Sequence, residues 1–104
     1  MQQFDIVENA NPGSKRHVPY LLLLQAPLFD ELATRVVAPL IPLKGFGKPL
    51  AHLTPVISVA DKAFVVSIAE IAGVPLSALG KKIDSVSESR IEIISALDFL
   101  FTGS

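Results

Sequence analysis

The pattern that most constrains the fold is an amphipathic repeat over residues 85–104. At helical periodicity its main apolar side chains fall within an arc of about 120°, which is wide enough to cover a hydrophobic core. These side chains belong to Val86, Ile93, Ile94, Leu97, Leu100 and Phe101. Ser85 and Glu88 match the capping box, so the pattern predicts a helix that begins at Ser85. Such a helix needs an apolar surface to cover, and the rest of the chain must supply it.

Two apolar residues of the predicted helix lie outside this arc. Ile91 and Phe99 fall on the side that carries Glu92 and Asp98. A single exposed apolar residue is ordinary on a protein surface. The alternative is that the helix contacts a partner through this second face, and the sequence leaves both interpretations open.

The preceding chain is typical of short strands separated by turns. A strand over 4–8 precedes the turn-forming residues 9–14, and the continuous apolar run 17–25 predicts a strand that is covered on both faces or shared with a partner. Residues 53–60 and 63–71 predict a hairpin joined at Asp61-Lys62.

Prolines restrict the next apolar run, 35–43. Pro39 and Pro42 lack amide donors, so this run is predicted to be an edge strand or to contain a bulge. Residues 73–80 predict turns that lead into the final helix. Several strands followed by one long helix indicate a small β-barrel or a strongly bent sheet that the helix closes.

Size and composition predict one domain over residues 1–104. Half of the residues are apolar and 18% are charged, which excludes disorder and indicates an apolar surface suited to an oligomer contact. A net charge of −1 gives no electrostatic footprint for nucleic acid. The basic clusters Lys15-Arg16-His17 and Lys81-Lys82 are interpreted as solvated turns, so we expect no direct nucleic-acid binding.

The sequence offers little for catalysis. The chain has no cysteine, and its two histidines, His17 and His52, lack carboxylates at ligand spacing, so we expect no metal and no cofactor. Acidic residues are scattered singly, and no catalytic residue can be assigned. The run Tyr20–Leu24 is too short to cross a bilayer, and no leader pattern precedes a cleavage site, so we expect a soluble, cytoplasmic protein.

Short motifs spread over nearly the whole chain resemble one family when they are taken in order. They are Met1-Gln2-Gln3-Phe4, Leu24-Gln25 before Leu28-Phe29-Asp30, Thr34-Arg35-Val36-Val37-Ala38-Pro39-Leu40, Leu53-Thr54-Pro55-Val56-Ile57, Val74-Pro75-Leu76-Ser77-Ala78-Leu79-Gly80 and the stretch Arg90 to Gly103. Together they resemble the CcdB family, the toxins of bacterial type II toxin–antitoxin systems that poison DNA gyrase.

The resemblance implies a mainly β (α+β) fold, an SH3-like barrel or bent antiparallel sheet with one long C-terminal helix. It also implies a homodimer whose C-terminal helices pack about the two-fold axis. Leu97, Leu100 and Phe101 are expected at the dimer interface. An isologous interface of this kind presents the same surface twice.

The function implied is that of a topoisomerase poison rather than an enzyme. The dimer would bind the gyrase A subunit and trap the complex with cleaved DNA. The expected gyrase-binding residues are Leu28, Phe29, Asp98, Phe101, Thr102, Gly103 and Ser104. The best-known members end in Trp-Gly-Ile, whereas this chain has Thr102-Gly103-Ser104, and Phe99 is a candidate to replace the missing aromatic area.

A second partner implied by the resemblance is a cognate, CcdA-like antitoxin. Its disordered C-terminal segment would fold onto the toxin, as coupled folding and binding allows. The expected antitoxin-binding residues are Glu8, Asn9, Asn11, Ser14 and Arg35.

Two alternatives to a gyrase poison remain at this point. In the first, the chain is a diverged CcdB-like dimer that binds antitoxin without poisoning gyrase, as the altered tail permits. Less favoured is a MazF-like ribonuclease that uses Arg35 or Arg16 with a nearby carboxylate, because the chain lacks the Gly-Asp opening and the Arg-Pro-x-x-Val strand of that group.

Overall fold

The computed structural model describes residues 2–26, 31–50 and 52–103. Within them the chain forms one sheet, a short helix and a long C-terminal helix. The strands are β1 (Asp5–Asn9), β2 (Tyr20–Leu23), β3 (Thr34–Pro42), β4 (Val56–Val59), β5 (Lys62–Val66), β6 (Ala72–Pro75) and β7 (Leu79–Ser85). The helices are α1 (Leu43–Phe46) and α2 (Arg90–Thr102).

The sheet is a curled, half-barrel antiparallel sheet, which confirms the predicted fold class. Its strand order is β4-β5-β3-β2-β1-β7, and β6 pairs separately with β3. Every described strand pair is antiparallel. Helix α2 follows the last strand and packs against the hydrophobic core that the sheet encloses.

Strand β3 lies inside the sheet, so of the two alternatives predicted for it, an edge strand or a bulge, the edge strand was wrong. It pairs with β2 on one side, while the other side is divided between β6 at its start and β5 at its end. Pro39 falls between these two partners, where its carbonyl accepts a hydrogen bond of 3.0 Å from the Ser67 amide. Pro42 is the last residue of the strand. Pro39 stands opposite Leu21 in the continuous β2–β3 ladder, and β3 tolerates it because its nitrogen points, like its carbonyl, to the other side, into the gap between β5 and β6.

The predicted hairpin is confirmed, with its turn one residue earlier. Val59 pairs with Lys62, which leaves Ala60 and Asp61 as the two loop residues. Their φ angles are 52° and 65°. Two consecutive positive φ values are the mark of a type I′ turn, whose twist matches that of the paired strands.

Residues 73–80 form strands as well as turns, which corrects the sequence prediction. Gly73 to Pro75 belong to β6, and Leu79 and Gly80 begin β7. Between the two strands lies a single 3₁₀ turn at Leu76–Ala78. Strand β7 pairs with β1 through two register irregularities, and four of its residues are exposed, so its sequence shows no clear alternation.

Apolar residues cover both faces of the inner strands. Leu22 and Leu24 point into the main core beside α2, while Leu21 and Leu23 belong to a second, smaller cluster on the opposite face. This explains the continuous apolar run, because a strand covered on both sides needs no alternation. Of the two interpretations left open, burial within the chain on both faces is the one that the fold shows.

Helix α2 begins at Arg90, so the capping box at Ser85 was a wrong prediction. Ser85 is the last residue of β7 and pairs with Asp5. The helix start is held instead by the N-terminal segment. The Val86 amide donates to the Phe4 carbonyl at 3.0 Å, and the Arg90 guanidinium lies 5.7 Å from the centroid of the Phe4 ring.

The buried face of α2 contains the predicted arc except at its end. Ile93 and Ala96 are fully covered, and Ile94, Leu97 and Leu100 are partly buried against the core. Phe101 lies in the last turn of the helix, and it is 72% exposed. Its assignment to the core arc was therefore wrong.

Candidate protein-binding surfaces

The exposed side of α2 carries large apolar side chains. Ile91 is 81% exposed and Phe101 72% exposed, and Phe99 is also accessible. The sequence prediction that Ile91 and Phe99 lie off the core face is thus confirmed. Because α2 already covers the core with its other face, these side chains form a second apolar surface along the helix.

The last turn of α2 is locally well fixed. The Thr102 hydroxyl donates to the Asp98 carbonyl at 2.7 Å. Gly103 ends the helix with φ 76°, and its amide donates to the Phe99 carbonyl at 2.9 Å. A left-handed residue at this position favours glycine, which has no Cβ to clash. The helix end therefore presents Asp98, Phe101, Thr102 and Gly103 on one rigid element.

Some residues of the expected gyrase-binding set lie outside the described residues. They are Leu28, Phe29 and Ser104. The structure brings the other four together at the helix end and makes all of them exposed. Of the expected dimer residues, Leu97 and Leu100 are partly buried in the chain itself, whereas Phe101 is open.

A second surface surrounds the loop between β1 and β2. Asn9 is 6% exposed, and its side-chain amide donates to Ser14 Oγ at 2.9 Å and to the Val18 carbonyl at 2.8 Å. Its carbonyl oxygen accepts from the Asn11 amide at 3.0 Å. Asn9 therefore supports the loop from within, while Glu8 and Asn11 are exposed beside it.

Arg35 is not next to this loop. It is 7% exposed at the start of β3, where its guanidinium donates to the carbonyls of Leu32 and Thr34. Opposite this end of β3 lies Gln25, whereas the Asn9 amide binds the Pro19 carbonyl at the other end of β2. At 3.3 Å per residue the two points are about 20 Å apart. The structure thus groups Glu8, Asn9, Asn11 and Ser14 but separates Arg35 from them.

One hollow of about 410 Å³ brings together the residue types of a hydrolytic triad. Its lining includes His52, Ser95 and Asp98, and the His52 and Phe99 rings lie 6.1 Å apart between centroids. A triad needs the serine and the carboxylate hydrogen-bonded to the histidine. In the described part of the chain no such bond joins these three side chains. The three side chains therefore line one hollow but lack the hydrogen-bonded geometry of a nucleophile and its base.

Among residues 2–26, 31–50 and 52–103, no cluster of His, Asp or Glu side chains has the geometry to hold a metal ion. No helix in these ranges is long and apolar enough to span a bilayer.

The fold and the exposed helix define the class to which the chain belongs: small proteins with a curled antiparallel sheet whose C-terminal helix offers an apolar surface. The family model described as CcdB protein matches residues 3–103 of the 104-residue chain. The chain therefore belongs to the CcdB family, a family of toxin–antitoxin toxins that broadly target DNA gyrase. No curated protein is similar enough to the chain to count as a match.

Proposed function

We propose that this chain is a toxin that binds the gyrase A subunit as a homodimer and traps gyrase on cleaved DNA. The observation that carries the proposal is the apolar surface at the end of α2, where Phe101 is 72% exposed on a helix that buries Ile93 and Ala96 in the core. Large aromatic side chains supply much of the binding energy of small interfaces. A protein of this family with an accessible aromatic residue at the helix end is equipped to bind through that end.

The dimer is proposed to form along the same helix. Leu97 and Leu100 keep part of their surface outside the core, and Phe101 lies beside them. A two-fold axis next to these residues would bury the apolar edge of each helix against its copy. It would also bring the two helix ends together, so that one surface meets the symmetric gyrase A dimer.

The gyrase surface is proposed to consist of Asp98, Phe101, Thr102 and Gly103, together with Leu28, Phe29 and Ser104. The described members lie on the last two turns of α2 and its C-cap, which the hydrogen bond from Thr102 to Asp98 stabilises. Because the backbone is already ordered, little conformational entropy is lost on binding. This compensates in part for the tail Thr102-Gly103-Ser104, which lacks the tryptophan of the best-known members.

The antitoxin surface is proposed to run from Glu8, Asn9, Asn11 and Ser14 to Arg35. The distance of about 20 Å between the loop and Arg35 corresponds to about six residues of an extended peptide. A disordered segment that folds on binding can cover such a distance more readily than a preformed compact partner.

A gyrase cleavage assay tests the proposal. Purified protein is added to gyrase and supercoiled plasmid, and the expected result is linear DNA covalently linked to gyrase. Phe101→Ala is expected to reduce cleavage at a given concentration by about 30-fold or more, the effect of losing an interface anchor worth about 2–4 kcal/mol. The control is Leu76→Ala, since Leu76 is also an exposed large apolar residue (48% exposed) and lies in the turn between β6 and β7.

The polar tail favours one other function, a dimer that binds antitoxin and no longer poisons gyrase. The variant Thr102→Trp with Ser104→Ile separates the two functions. If the natural protein leaves gyrase untouched and this variant causes cleavage, the tail has removed the activity from an intact scaffold. Cleavage by the natural protein that Phe101→Ala leaves unaltered would show that the site assignment is wrong.

A further inference from the structure

A groove of about 760 Å³ lies between the starts of β2 and β5 and the short helix α1. Its base is formed by aromatic rings, those of Tyr20 and Phe64, which meet edge to face with their centroids 5.3 Å apart. Pro19 and Pro42 extend the apolar surface on either side. Sequence patterns do not indicate this groove, because its residues come from three separate strands, the short helix α1 and the residue before β2.

The charged residues that line the groove, within the described chain, are all basic. Lys44 and Lys62 lie at its rim, and both are exposed. Among the described residues that line it there is no carboxylate, and neither lysine has an ion-pair partner within the described chain. An occupant that carries carboxylates next to an apolar side chain would therefore match both the base and the rim.

The groove is continuous with the surface beneath the β1–β2 loop. Pro19 and Tyr20 also line the neighbouring hollow of about 860 Å³, which carries Lys15 and Arg16 and one acid, Glu8. Four cations and one carboxylate thus border the two hollows. A linear, acidic chain can follow such a path, whereas a compact partner would reach only one of them.

We propose that this groove binds an extended acidic segment of a partner polypeptide, with an apolar side chain on the Tyr20 and Phe64 rings and carboxylates on Lys44 and Lys62. The inference rests on the proposed function for the identity of the partner, the antitoxin, and extends its binding surface beyond the loop. A nucleic-acid strand fits less well, since the four cations are spread over two hollows with Glu8 among them, and the chain carries a net charge of −1.

The test is a selection of peptides that makes no assumption about the partner's sequence. Random dodecapeptides displayed on phage are selected on the wild-type protein, and the enriched peptides are synthesised with a fluorophore for affinity measurement by polarisation. We expect enriched peptides to combine aspartate or glutamate with an aromatic or large aliphatic residue. The double variant Lys44→Glu with Lys62→Glu should bind them at least about ten-fold more weakly.

The control has the same change of charge elsewhere on the surface. Lys48 and Lys81 are exposed and do not line the groove, so Lys48→Glu with Lys81→Glu should leave the affinity unchanged. The inference is overturned if no peptide is enriched, if the peptides show no preference for acidic residues, or if a dodecameric single-stranded oligonucleotide displaces them. Equal loss in both double variants also overturns it, because the effect would then be one of net charge.

The gyrase cleavage assay distinguishes a failure of the groove proposal from a failure of the proposed function. Lys44 and Lys62 are not in the proposed gyrase surface, so the groove variant should poison gyrase as the wild-type protein does. Cleavage without peptide binding would remove the groove proposal alone. Peptide binding without cleavage would remove the gyrase proposal and leave the groove in place.

Discussion

The two faces of α2 should respond differently to truncation, and the difference can be estimated from burial. Ile93 is 0% exposed in the main core, so Ile93→Ala should lower the free energy of unfolding by about 2–5 kcal/mol. Phe101 is 72% exposed, which leaves 28% of its surface covered. With about 200 Å² for a phenylalanine side chain and about 25 cal/mol per Å², that covered part contributes about 1 kcal/mol.

The assay is denaturant unfolding followed over a wide range of protein concentration. The loss caused by Ile93→Ala should be present at every concentration, because it arises within one chain. For Phe101→Ala a further loss of about 2–4 kcal/mol should appear only where the wild-type protein is dimeric, since dimerisation adds stability by mass action. If Phe101→Ala is as destabilising as Ile93→Ala at all concentrations, the ring belongs to the core, and the assignment of the two faces is refuted.

Three further predictions concern the scaffold, and thermal or denaturant unfolding checks each of them. A Cβ at Gly80 would lie 2.8 Å from the carbonyl oxygen of Glu8, so Gly80→Ala should destabilise the β1–β7 pair by about 1–3 kcal/mol. Gly73→Ala is the control, since nothing lies within 4 Å there; equal losses would contradict the steric argument. Asn9→Ala removes three hydrogen bonds inside the β1–β2 loop and should destabilise by about 2–3 kcal/mol, whereas the exposed Glu8→Gln should change little. If Asn9→Ala weakens antitoxin binding with stability unaltered, its role is contact rather than support. Ala60→Gly should stabilise the hairpin by up to about 1 kcal/mol, because Ala60 has φ 52°; a loss of stability would contradict the turn assignment.

The sequence predicted the fold class well because its strongest patterns are local. The β4–β5 hairpin follows from two β-branched runs with a short turn between them, and its ladder depends on neighbouring residues alone. The burial of β2 on both faces was also one of the two readings of its apolar run. These features need no knowledge of distant strands.

The errors arose where pairing partners come from far along the chain. Pro39 and Pro42 predict an edge strand or a bulge for β3, but the strand is central, and the interval between β5 and β6 falls at Pro39. Strand β7 was missed because its exposed Lys81, Lys82 and Asp84 disrupt the alternation that marks a strand. The start of α2 was placed too early, because Ser85 is recruited into pairing with β1.

The sequence predicts the candidate site only in part, again because some of its features depend on residues that are far apart in the chain. The exposed side of α2 follows from helical periodicity, although the exposure of Phe101 in the last turn does not, since it depends on which turns of the helix the core covers. That Arg35 lies away from Asn9 depends on strand register, which residue types alone do not fix. The groove at Tyr20 and Phe64 depends entirely on tertiary contacts.

Binding to gyrase is tested most directly by a calorimetric titration of the gyrase A subunit dimer with this protein. We expect saturation at one dimer of this chain for each gyrase A dimer, with affinity reduced about 30-fold or more by Phe101→Ala and unchanged by Leu76→Ala. Two independent copies bound per gyrase A dimer would contradict the paired helix surface. No binding at concentrations where the protein is dimeric would contradict gyrase as its target.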